Sequence, residues 1–240
     1  MLLEKILQSQ GFGSRKYCQQ LIKKGAVSIE DQVIDDLKFK ITEQHLNFKV
    51  DGKAYRYREH VYLALNKPKN YECSHQATHH FSVFDLVDDL LLNRGVQCVG
   101  RLDQDTTGLL LLTDDGKFLQ ALTHPKKHVP KVYLVETADE ISLEQIEKLE
   151  QGVELHNEKG VFIATDIQKI SANQLSLTIH QGVYHQVKRM LAAVGNKVIT
   201  LHRQQVGLLD LGQLSEGEWV FLDEQHIQAA KNLDEWVIAL

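Results

Sequence analysis

Cysteine is scarce: Cys18, Cys73 and Cys98 are the only three in 240 residues, they are widely spaced, and no CxxC pair occurs. An odd, scattered set excludes a disulfide framework and a zinc ribbon, and it suits a reducing cytoplasm. There is no apolar run near the ~18–20 residues of a membrane span. The first ten residues, MLLEKILQSQ, place Glu4 and Lys5 where a secretory leader needs an unbroken apolar stretch. Long repeats and low-complexity segments are also lacking. What is present, 43% hydrophobic and 25% charged residues, describes a folded chain of one or two domains with a cytoplasmic address.

Positive charge is in slight deficit, with 27 Lys and Arg against 32 Asp and Glu. Alone, that balance argues against nucleic acid as a partner. Its placement argues the other way. Residues 1–70 carry 13 basic and 8 acidic side chains, whereas residues 71–240 carry 14 and 24. Within the acidic part, Gly116–Val135 and Ile167–Leu209 contain no carboxylate. Buried strands exclude charge of both signs; these windows exclude only one, as the lining of an anion site would.

Hydrophobic spacing divides the chain into residues 1–59 and 60–240. In the first part, Leu2, Leu3, Ile6 and Leu7 follow a helical period that GFGS interrupts. Ser14 is a suitable N-cap for a helix over 15–24, and Gly25 a suitable stop. Two short strands are expected around Glu30-Asp31-Gln32, and KAYRYR (53–58) reads as a basic linker. In the second part, strands are expected at 61–67, 109–113, 132–136, 161–165 and 174–180. Helices are expected at 82–92, 117–122, 142–151, 184–194 and 225–237. This order predicts an α+β fold: a catalytic-sized domain with a mostly antiparallel mixed sheet, preceded by a small α/β module. Trp219 and Trp236 read as packing residues.

Three segments carry chemical signals. GRLDQDTTGLLLLTDDG (100–116) sets Arg101 and Asp103 in a loop before a buried strand. LTIHQGVYHQVKRMLAAVGNKV (177–198) passes from strand through Gly182 into a helix bearing Lys188 and Arg189. HPKKHVPKVYLV (124–135) leads a basic loop into a strand with Tyr133. Singly, each has an ordinary structural role: a lone Asp caps turns, and helix cations are solvated. His75, His79 and His80, with Cys73, are the one metal-like cluster, but they lack the ordered spacing of a ligand set; a loop is expected there, and no metal.

Taken together, these segments resemble, in order and spacing, the RsuA-type pseudouridine synthases that act on small-subunit rRNA. GSRKYCQQLIKKGAVSI (13–29) resembles the RNA-binding module that this family shares with a ribosomal protein. NEKG (157–160) and LHRQQVG (201–207) strengthen the likeness to the 16S rRNA branch. The chain departs from the family at three places. Leu2-Leu3-Glu4-Lys5 replaces Arg-Leu-Asp-Lys, Glu30-Asp31-Gln32 replaces a Gly-containing turn, and Gly182-Val183-Tyr184 replaces Gly-Arg-Tyr.

The resemblance implies isomerisation of one uridine of 16S rRNA after flipping of the nucleotide into a pocket. It makes Asp103 the essential carboxylate, Lys188 its basic partner, and Tyr133 the residue stacked on uracil. It also implies that Arg101 holds the flipped backbone or fills the space the base vacates. Phosphate contacts are expected from Arg15, Lys16, Lys23, Lys24, Lys126, Lys127, Arg189 and Arg203. No metal, small-molecule cofactor or membrane is required, and the expected partner is 16S rRNA or a small-subunit assembly intermediate, bound by a monomer. Action on 23S rRNA and a catalytically silent RNA-binding assembly factor are the alternatives.

Overall fold

The computed structural model describes residues 1–42, 44, 46–231 and 237–240. They form two compact units, one of residues 1–61 and 87–97, the other of 62–86 and 98–240. Thus residues 87–97 cluster with the N-terminal module, although they lie beyond it in sequence.

In the first unit, helices Leu3–Ser9 and Arg15–Lys23 cover an antiparallel sheet. Its strand order is Gln32–Val33, Val27–Ile29, Asn47–Val50, Lys53–Arg56. Ser14 caps the second helix by accepting from Tyr17 N–H at 3.3 Å. The apolar stripe Leu3, Ile6, Leu7 meets Cys18, Leu21 and Ile22, and Phe48 and Val50 close the core from the sheet. Glu30 and Asp31 both take positive φ, so the turn forms without glycine. KAYRYR is not a linker. Residues 53–56 pair with Asn47–Val50 across Asp51-Gly52, and Tyr55 packs on Phe12 and Phe48.

The expected helix over 82–92 is also replaced. Ser82 Oγ accepts from Phe84 N–H, and Ser82 N–H donates to Asp85 Oδ2. These bonds close a 3-10 turn, Val83–Leu86, and the helix Asp89–Asn93 follows. That helix packs on Gly11, where a Cβ would stand 2.0 Å from Leu90 O.

The second unit is built on a large sheet. Its main path runs Thr165–Lys169, Gln174–Ile179, Lys131–Thr137, Val198–Val206, Thr107–Thr113, Tyr62–Lys67, Trp219–Phe221. Every neighbouring pair along this path is antiparallel except Val198–Val206 with Thr107–Thr113, which is parallel. Helices Gly116–Thr123, Leu143–Gln151 and Gln186–Ala193 match the expected positions. The nine-residue strand Val198–Val206 was not anticipated. The expected strand 161–165 divides into Val161–Phe162 and Thr165–Lys169. The last helix is Glu224–Ala230; the remainder of the expected helix, with Trp236, lies largely outside the described residues. Trp219 is a half-buried strand residue paired with Leu65. No described helix is long and apolar enough to cross a membrane.

Candidate active site

The second unit holds a cavity of about 680 Å³, a size suited to a small organic ligand or a flipped nucleotide. Arg101, Asp103, Lys131, Tyr133, His185 and Arg203 are among its walls. They come from the loop before Thr107–Thr113, two adjacent strands, and the entry to helix Gln186–Ala193.

The Asp103 loop is fixed by main-chain and buried side-chain contacts. Thr106 N–H donates to Asp103 O, and Asn70 N–H to Gln104 O. Lys67 has 0% exposure, and its ammonium donates to the carbonyls of Pro68 (2.9 Å), Gln104 (3.2 Å) and Thr106 (2.8 Å). Burial brings Lys67 down to about 8, partly opposed by Cys73 and the acids Asp105 and Asp103. Gly108 then allows the strand to start. Its φ is +101°, and a Cβ would lie 2.3 Å from Arg203 O across the parallel pair. No other residue type fits that approach.

Helix Gln186–Ala193 supplies the cationic side. His185 has φ +51° and immediately precedes the helix, with its ring stacked on Tyr184 at 3.7 Å. His185 Nε2 lies 3.2 Å from Asp103 Oδ1. Lys188, about a turn into the helix, reaches Asp103 Oδ2 at 2.9 Å and Asp105 Oδ1 at 2.6 Å. Partial burial disfavours the Lys188 ammonium, but its two carboxylate partners outweigh this and raise its pKa. Burial likewise pushes Asp105 upward, and the bond and charge of Lys188 carry it below the usual carboxylate range.

Tyr133 is buried at 7% exposure on the central strand Lys131–Thr137. Lys131, two positions earlier and so on the same strand face, donates to Val129 O at 2.8 Å. Burial brings it down to about 8, and the charge of Arg203 acts in the same direction.

The structure therefore brings Asp103, Lys188, Tyr133 and Arg101 into one region. It separates the expected phosphate contacts into three groups. Arg15, Lys16, Lys23 and Lys24 are exposed on the first unit, with Arg15 paired to buried Glu4 at 2.8 Å. Lys126 and Lys127 are exposed beside a second, shallower cavity shared with Lys117, Gln120 and His124. Arg189 and Arg203 are turned to other work. Arg189 bonds Glu158 and Tyr184 O at 3.1 Å each, and also His156 O. Arg203 is 3% exposed and donates to Leu109 O at 2.8 Å. It is a charge in the cavity wall.

Sequence reasoning missed Lys67, Lys131, Asp105 and the contact of His185 with Asp103. The alternation Lys131-x-Tyr133 on one strand face was the available signal for Lys131. Lys67 ends an apolar strand, where only the fold reveals the three carbonyls. His75 stacks on Phe84 at 3.6 Å. Among the described residues, no group of three or more His, Cys, Asp or Glu is placed to hold a metal ion.

Residues 61–193 match the family model for RNA pseudouridylate synthases, and residues 1–46 that for the S4 domain. The chain belongs to the RNA pseudouridylate synthase family and carries an S4 domain at its N-terminal end. Among its relatives is the ribosomal small subunit pseudouridine synthase A of Vibrio vulnificus (strain CMCP6), 38% identical over 95% of this chain and 99% of that one. The protein of that name from Escherichia coli (strain K12) is 36% identical over 95% and 98%. A solved crystal structure of a pseudouridylate synthase is similar across 96% of this chain and 99% of its own, with 32% identity and a TM-score of 0.66.

Proposed function

We propose that the protein converts one uridine of the small-subunit (16S) rRNA to pseudouridine, in the cytoplasm, as a monomer acting on a small-subunit assembly intermediate. The observation that carries this reading is the near full-length likeness, at 38% identity, to a ribosomal small subunit pseudouridine synthase A. The cavity chemistry is consistent with it.

The reaction breaks the bond from uracil N1 to ribose C1′, turns the base and joins C5 to C1′. A proton leaves C5 and N1 gains one, so no oxidant or metal is consumed. Asp103 acts first, either attacking C1′ or taking a ribose proton; both begin from the carboxylate. Lys188, 2.9 Å away, keeps a positive charge against that carboxylate and pins it in one rotamer. Tyr133 offers its ring to the detached uracil and its hydroxyl to the C5 proton. Arg101, exposed among the lining residues, holds the flipped strand. The S4 domain and the Lys126–Lys127 edge contribute phosphate contacts.

The test is two-part. Asp103→Asn should end tritium release from RNA labelled at uridine C5 while RNA binding persists. Carbodiimide-dependent reverse-transcription stops should vanish at one 16S rRNA position in a deletion strain. Turnover by the Asp103→Asn variant overturns the mechanism, and a stop lost from 23S rRNA instead overturns the substrate. RNA binding without any isomerisation by the unaltered protein would mark a silent assembly factor.

A further inference from the structure

Strand Val198–Val206 breaks its regular pairing where it passes the cavity. Lys131 pairs with Val206 and Val132 with Gln205, but Tyr133 pairs with Arg203, so the ladder skips Gln204. In an unbroken strand Arg203 and Val206, three positions apart, would point to opposite sides. The bulge re-aims them, and both line the cavity with Leu201. It also sets Arg203 directly across from Tyr133, where paired side chains on one face start about 5 Å apart. Lys131 lies two positions from Tyr133 on the same face, and all three are cavity walls.

These two cations lack a counter-charge. Arg203, 3% exposed, donates through Nε to Leu109 O, and half-buried Lys131 donates through Nζ to Val129 O, at 2.8 Å each. Among the described residues neither is paired with a carboxylate. The carboxylates in the cavity walls, Asp103 and Glu158, are taken by other cations, Lys188 at 2.9 Å and Arg189 at 3.1 Å. Arginine keeps its charge throughout the physiological range, and a buried charge without an ionic partner is costly. Such a wall fits a ligand that develops negative charge beside the Tyr133 ring.

We propose that Lys131 and Arg203 are catalytic residues that stabilise the negative charge gathering on uracil as its bond to ribose breaks. This rests on the proposed isomerisation. When N1–C1′ breaks, the bonding pair stays with the base and spreads over N1 and the two carbonyl oxygens. Asp103 meanwhile bonds to C1′ or takes up a ribose proton, and the base keeps the same pair by either route. After the base turns, a pair from the anion forms the C5–C1′ bond, the C5 proton leaves and N1 takes one up. Tyr133 holds the face of the ring and the two cations its edge. They bind the anion more tightly than the neutral base, and that difference accelerates the cleavage. A phosphate of the flipped nucleotide, by contrast, carries its charge throughout and would gain affinity from the pair but no rate.

The experiment gives the full chain 16S rRNA transcripts made with uridine or with 5-fluorouridine and follows the C-linked nucleoside by chromatography of the digested RNA. On uridine RNA at saturation, Lys131→Met should slow product formation at least about tenfold. RNA affinity should change no more than about threefold, and Lys131→Arg should restore most of the rate. Fluorine at C5 makes uracil a more stable anion, so the loss in Lys131→Met should shrink on 5-fluorouridine RNA. Unchanged turnover in Lys131→Met, or an equal loss on both RNAs, overturns the proposal. A loss confined to RNA affinity overturns it as well and assigns the pair to a phosphate. Should 5-fluorouridine RNA yield no product, the split between rate and affinity on uridine RNA decides. Should Lys131→Met not fold, Lys131→Gln, which keeps a donor for Val129 O, makes the same comparison. No product from uridine RNA with the unaltered protein overturns the functional reading itself, a result distinct from all of these.

Discussion

The two units of this protein use positive charge in opposite ways. In the S4 unit, Arg15, Lys16, Lys23 and Lys24 stand exposed along and just after one helix. In the second unit the cations that matter are drawn inward. Lys67 is sealed against three carbonyls, Arg203 and Lys131 enter the cavity wall, and Lys188 is held between two carboxylates. Exposed cations contribute affinity that salt can screen, whereas buried ones fix geometry and resist screening. Net charge is therefore a poor guide to either job.

The sharpest break of this contrast is Asp103→Asn, which removes the charge that the inner cations surround. Turnover should fall by about 1000-fold or more, with little change in RNA affinity, measured by tritium release and filter binding. Next is Gly108→Ala, which forces a Cβ against Arg203 O and a positive φ. It should cost about 2–4 kcal/mol of stability, read by denaturant unfolding, and turnover should fall with it.

Lys67→Met leaves the carbonyls of Pro68, Gln104 and Thr106 without their donor. A loss of about 2 kcal/mol is expected, along with lower turnover at unchanged RNA affinity, since the Asp103 loop loses its anchor. By contrast, replacing Lys16, Lys23 and Lys24 together with Ala should leave stability and saturated turnover in place. It should weaken RNA binding and reduce the salt slope by about 0.7–0.9 per contacting lysine.

The smallest effect concerns Lys131. Its pKa is lowered to about 8, so its positive charge is present below that pH and is lost as pH rises through it. Binding of RNA in the cavity should weaken a few-fold between about pH 7 and pH 9, and Lys131→Arg should flatten that limb. An unchanged pH profile in the variant would remove Lys131 from the site.

Much of this architecture was legible because it rests on local rules. The Ser14 cap, the helix beginning at Gly116, and the apolar run within Thr107–Thr113 all announce themselves within a few residues. The misreadings have physical causes. KAYRYR alternates aromatic and basic residues after Asp51-Gly52, a hairpin signature, but its polarity suggested a linker. Val198–Val206 hides because its inward positions include Arg203, a charge where a strand core usually carries an aliphatic side chain. Its partners are supplied from far away: Leu109 O accepts from Arg203 across 94 residues of chain. The candidate carboxylate, cation and tyrosine were found by motif resemblance. Lys67 was not, since its meaning lies in the three carbonyls that folding brings to it.

The parallel seam between Thr107–Thr113 and Val198–Val206 also sets a timetable. Asp103 emerges from the ribosome well before Lys188 and Arg203, the former separated from Asp103 by 85 residues. The cavity wall lacks Arg203 until the later strand has paired beside Gly108. Pairings of such long range are slow to form. A chain cut short before Val198 would carry Asp103 without the Leu201, Arg203 and Val206 side of its cavity. The cavity is thus completed only by late-arriving sequence, whereas the S4 domain with its exposed cations precedes it in the chain.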